Sequence, residues 1–155
     1  MIYCPLKQIT NSMPINHDAV KYRINEILDC ISNLKRLVSK PYTELSIDEK
    51  NSIRYYIIVM VEALTTLCIH VCREQYGYKP QSYSEAVKFL CDKLGIEPLE
   101  NIFSLIKLRN LIVHRYWIID DYRIYKNVKE NFDEILLFVK LLEEKLKSEN
   151  HILQS

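Results

Sequence analysis

Glycine is scarce in this chain: only Gly77 and Gly95 occur among its 155 residues. A phosphate-cradling loop needs glycines close together so that backbone amides can approach the anion, and tight hairpins use glycine to reach positive φ. Two isolated glycines supply neither, which argues against nucleotide-binding α/β folds and against β-rich folds. A dominant charge sign is also missing, since 21 Lys and Arg face 20 Asp and Glu. Capture of a polyanion over the whole surface is thereby excluded, but a local basic site is not. The five cysteines are odd in number and scattered, with no Cys-x-x-Cys, and the first residues lack the pattern of a secretory leader. A reduced, cytoplasmic protein is the expectation. Long apolar runs are few. The one from Ile57 to Cys72 carries Glu62 and His70 and is short for a membrane span, so it reads as a buried core helix with no membrane partner.

What is present fits a single domain over 1–155, with a core at about 16–148 and irregular ends. Ile24, Ile27, Leu28, Ile31, Leu34 and Val38 recur at helical spacing, predicting a first helix over about Asn16 to Ser39. Pro41 closes it. Ser46 and Glu49 form a capping box opening a second helix, which should run to a left-handed cap at Gly77 and be the most buried of the set. Ser82 and Glu85 make a second box for a short helix to Leu94, stopped by Gly95 and Pro98. A fourth helix is predicted from about Leu99 to Trp117. A fifth is predicted from about Asp121 to Ser148, with Val128, Phe132, Ile135, Val139, Leu142 and Leu146 along one face. The fold class is all-α, an antiparallel bundle of four long helices and one short one.

The fourth helix carries the unusual residues. At about 100° per residue, Ile102, Ile106, Arg109, Val113 and Tyr116 share one line, and Phe103, Asn110, His114 and Trp117 a neighbouring one. Arg109, Asn110 and His114 thus interrupt apolar faces, where an uncompensated charge is costly. On spacing alone the alternatives stay open: a structural Arg109 paired with Glu62 or Asp120 and a capping His114, or a site. Glu62 needs a partner of its own, and Arg109 is the candidate.

The segment Arg109-Asn110-Leu111-Ile112-Val113-His114-Arg115-Tyr116 is an R-x4-H-x-Y pattern late in a helical bundle. With Trp117, Asp120 and Tyr125 behind it, Val61 to Leu64 in the second helix and Pro80 to Tyr83 before the third, it resembles the HEPN superfamily, and within it the HepT-like toxins. The resemblance spans about Ile53 to Leu142. It implies a metal-independent endoribonuclease without cofactor, in which the ribose 2′-hydroxyl attacks the adjacent phosphate. Histidine suits proton transfer near neutral pH and arginine suits a phosphate held by two oxygens. The roles implied are acid/base for His114, phosphate clamp for Arg109 and orienter for Asn110, with Glu62 and Asp120 as possible supports. Tyr116 resembles the tyrosine to which a partner MNT-type nucleotidyltransferase antitoxin adds AMP. Partners are then RNA rather than DNA, that antitoxin, and a second copy of the chain. Geometry bears on the last: Arg109 and His114 lie about 140° apart on an ideal helix, so either the helix distorts or a second copy completes the site, and the resemblance implies the second copy.

Other candidates read as structure. Cys68 and Cys72 are spaced i,i+4 but lack a second ligand pair, so small buried hydrophobes are expected rather than a metal site. His17 and His151 read as surface residues, and Asp120-Asp121 as a helix start. Lys107, Arg109, Arg115 and Arg123 make the motif locally basic. The competing function is a non-nucleolytic nucleotide- or substrate-binding subunit of a small nucleotidyltransferase. Intact Arg109 and His114 weigh against it. A scaffold with no chemistry would leave that pair without a reason.

Overall fold

The chain is described by a computed structural model covering residues 15–115, 117–130 and 132–154. Six α-helices and one 3-10 turn at Tyr42–Glu44 make up these residues, with no strand among them. Helix α1 spans His17–Val38; the Asn16 side chain accepts from the Asp18 and Ala19 amides, satisfying two of the donors a helix start leaves unpaired. Helix α2, Ile47–Tyr76, opens on the full Ser46/Glu49 capping box and closes on Gly77 at φ 62°. By length and hydropathy this 30-residue helix could cross a membrane. The bundle gives that hydropathy another use. Helix α2 packs against α1 and against helices at Tyr83–Leu94 (α3), Glu100–His114 (α4) and Asp121–Glu130 (α5), which bury Ile57, Met60, Leu64, Leu67, Cys68 and Val71 completely or nearly so.

Helix α3, Tyr83–Leu94, is capped by Ser82, which accepts from the Glu85 amide. Only half of the expected box forms. The Glu85 carboxylate instead accepts from the Gln81 amide and the Tyr78 hydroxyl, tying the α2–α3 turn to the new helix. Helix α4 spans Glu100–His114. Its cap residue, Leu99, has no acceptor side chain, and Glu134, far along the chain, accepts from the Asn101 amide at 3.0 Å instead.

Two boundaries differ from the sequence reading. Helix α4 ends at His114, three residues before Trp117, as Arg115 leaves the helix at φ −137°. The chain must turn there because the following segment is pinned elsewhere. Arg54 of α2, almost fully buried, donates to the Ile119 carbonyl at 2.9 Å and pairs with Asp121 at 2.7 Å. The predicted fifth helix is two, α5 (Asp121–Glu130) and α6 (Asp133–Gln154). Every residue of the predicted stripe is buried, but α5 packs on α1 and α2 whereas α6 packs on α3 and α4, so one straight rod would not serve both. Asp133 and Glu134 give the second segment the negative charge a helix start favours.

The four cysteines among the described residues belong to the core. Cys30, Cys68, Cys72 and Cys91 are buried and free. Burial pushes the thiols of Cys30 and Cys72 up to about 11 and raises those of Cys68 and Cys91.

Candidate active site

Arg109 sits on α4 facing α2, with a side chain only 16% exposed. Helix packing brings it onto Glu62: Arg109 Nη2 donates to Glu62 Oε1 at 2.5 Å. Its Nη1 donates to Asn110 Oδ1 at 3.0 Å. The guanidinium is therefore held from two sides, by an acid on the neighbouring helix and by the next residue of its own. Its Nε is buried and makes no hydrogen bond among the described residues. A buried unsatisfied donor is unfavourable by about 1–3 kcal/mol, more for a charged group. Two donors of the fork are thus committed to orientation, and with Nε buried the second hydrogens of Nη1 and Nη2 are the ones left among the described contacts.

Of the two partners open to Arg109 in the sequence, the structure selects Glu62. Asp120 does something else: its carboxylate accepts from the Tyr122 amide at 2.9 Å and its carbonyl accepts from the Arg123 and Ile124 amides, starting α5. The Asn110 side-chain oxygen accepts from Arg109, not from His114. His114 is the last residue of α4, exposed, with no side-chain hydrogen bond to Arg109, Asn110 or Glu62. Helix α4 remains helical from Arg109 through His114, so the angular separation between the two stands. Tyr116 lies outside the described residues.

Around the motif, Leu111, Val113, Trp117 and Ile118 are exposed, at 43–81%. Two clefts flank α4. One, of about 380 Å³, lies between Ile69 of α2, the Pro80–Ser84 segment that leads into α3, and Ile106 and Asn110 of α4. The other, of about 360 Å³, runs between α4 and α5 and is lined by Lys107, Asp120 and Arg123 over an apolar floor of Leu108, Ile119 and Ile124. Lys107 and Arg123 have no ion-pair partner among the described residues, which gives this side of α4 its basic character. Among the described residues no group of three His, Cys, Asp or Glu lies close enough together to hold a metal ion.

The residue that sequence reasoning missed is Arg54. It anchors the segment following the motif through Ile119 and Asp121. The signal was there, because Arg54 shares a helix face with Ile57 and Val61, the same kind of interruption that made Arg109 conspicuous.

Comparison with known proteins agrees with this architecture. No curated protein matches the chain. One chain of a solved structure, described as a toxin–antitoxin crystal structure with AMP-PNP, superposes with a TM-score of 0.73 at 20% identity, covering 82% of this chain and 98% of that one. At that identity the likeness shows a shared fold. The family model described as "Ribonuclease HepT-like" matches residues 27–142, which takes in α2, the motif and both clefts. The chain belongs to the HepT-like ribonuclease family.

Proposed function

We propose that the protein is the toxin of a toxin–antitoxin pair, an endoribonuclease that needs no metal and uses Arg109, Asn110 and His114. The observation that carries this reading is the state of Arg109. Glu62 and Asn110 orient its guanidinium without exhausting its donors, on the motif helix of a chain in a ribonuclease family. Such a group holds a scissile phosphate and stabilises charge that builds on its oxygens. The 2′-oxygen attacks phosphorus, the P–O5′ bond breaks, and a 2′,3′-cyclic phosphate forms. One proton leaves the 2′-hydroxyl and one arrives on the 5′-oxygen. His114 is the group on the motif suited to move it.

The angle between Arg109 and His114 is met by a homodimer that turns two motifs toward each other about a two-fold axis. The exposed Leu111, Val113, Trp117 and Ile118 supply an apolar surface around the motif that such a contact would cover. Control falls to a separate nucleotidyltransferase antitoxin acting on Tyr116. The phenol oxygen attacks the α-phosphorus of ATP, pyrophosphate leaves, and the phenol proton is released. The AMP then sets negative charge and bulk two residues from His114. AMP-PNP, a nucleotide, accompanies the toxin–antitoxin structure that this fold superposes on, which fits a partner that uses ATP. A reduced cytoplasm as the setting fits four free, buried thiols.

Incubating the protein with total RNA in EDTA, beside Arg109→Ala and His114→Ala variants matched by circular dichroism, tests the reading. Cleavage by the parent alone, leaving cyclic-phosphate ends, is the expected result. An inert parent whose intact mass shows Tyr116 unmodified would overturn it in favour of a nucleotide-binding subunit of the transferase.

A further inference from the structure

The geometry points to a nucleobase subsite in the neutral cleft beside Asn110, in which a base of the RNA stacks on Tyr83 and its edge is read by Gln81, Ser84 and Asn110. The inference rests on the ribonuclease reading above and adds to it the feature that selects where RNA is cut.

The cleft's volume of about 380 Å³ is within the range of small-ligand sites, about 300–1,000 Å³. No charged residue lines it among those described, so it does not suit a phosphate. Its floor is apolar, from Ile69 and Ile106, and Tyr83 stands at its wall, 39% exposed and open to stacking. The polar groups around that ring are uncommitted. The side chains of Gln81, Tyr83 and Ser84 make no hydrogen bond with the described residues. Asn110 spends its Oδ1 on Arg109, which turns its Nδ2 into a fixed donor. A flat apolar face ringed by amide and hydroxyl groups is the complement of a base, whose π-face is apolar and whose edge is not. The wall is also preformed, because Glu85 ties the Gln81 amide and the Tyr78 hydroxyl and Ser82 caps α3.

Asn110 links this cleft to the chemistry. It lines the cleft and touches Arg109, so a base seated there places its own backbone beside the guanidinium. Arg109 would then grip the phosphate while the cleft decides which nucleotide precedes or follows it.

The test reads binding separately from cleavage. Dye-labelled 2′-O-methyl RNA tetranucleotides, which lack the attacking hydroxyl, are titrated by fluorescence anisotropy in four versions differing at one base. The parent is expected to discriminate among the four. Tyr83→Ala should weaken binding about tenfold, as loss of one stacked base does, and Tyr83→Phe should restore it. Gln81→Ala and Ser84→Ala, both exposed positions, should shrink the spread between bases. Unchanged affinity in Tyr83→Ala together with unchanged spread in the other two overturns the subsite, even if total RNA is cleaved. Tyr83-dependent binding without any RNA cleavage upholds the subsite and overturns the ribonuclease reading instead.

Discussion

Arg109 makes two bonds that serve orientation, and Glu62 supplies the more consequential one. The carboxylate is half exposed, so the pair adds little to stability, about 1 kcal/mol or less. Its effect belongs to the geometry of the guanidinium. Glu62→Ala should therefore leave urea unfolding nearly unchanged while lowering kcat for RNA cleavage by about tenfold, because a misplaced clamp loses orientation rather than charge. A parallel loss of stability and activity would mean that Glu62 is structural. The pair was legible in sequence because two charges on apolar helices need one another. The choice of Glu62 over Asp120 was not, since both lay within reach of a wheel argument and only packing assigns one to Arg109 and the other to a cap.

At the scale of elements, caps made the fold readable. The first three helices fall within a residue or so of their predicted ends because Asn16, Ser46, Gly77, Ser82 and Gly95 mark them chemically. The two misplaced boundaries lacked that help. Helix α4 stops because Arg54 holds the connection to α5, a contact between residues far apart in sequence. The α5–α6 break left the hydrophobic period unaltered, and the described residues mark it with the acidic pair Asp133-Glu134. The Arg54 anchor is testable. Arg54→Met keeps the volume but leaves the Ile119 carbonyl and Asp121 without their donor. The expected loss is about 2–3 kcal/mol of unfolding free energy, below the full value for a buried pair because Asp121 is one-third exposed. A change under about 0.5 kcal/mol would show that the anchor does not hold the segment.

The whole molecule inherits two properties from its core and its surface. In the unfolded chain thiols ionise from about pH 9, whereas those of Cys30 and Cys72 stay protonated to about 11. The unfolded state thus binds fewer protons across that interval, and stability should fall as pH rises through it. Urea midpoints at pH 8 and pH 10 measure this, with a lower value expected at pH 10. The same burial should slow labelling of the four described thiols by a disulfide reagent until the protein unfolds. At the surface, Leu111→Asp with Val113→Asp should turn a dimer into a monomer in sedimentation and remove cleavage with it, while circular dichroism stays helical. The proposed second copy was legible in sequence through the family resemblance and the angle between two side chains, but the surface it would cover was not, because a sequence does not state which apolar residues stay uncovered.

That angle gives the most direct test. Arg109→Ala and His114→Ala proteins, each inactive alone, are mixed, allowed to exchange subunits, and assayed on RNA. If one protomer's Arg109 works with the other's His114, half of the dimers regain one intact site, and activity should return to about a quarter of the parent's. Subunit exchange, shown by a labelled copy entering the dimer, without any return of cleavage would contradict a site shared between two chains.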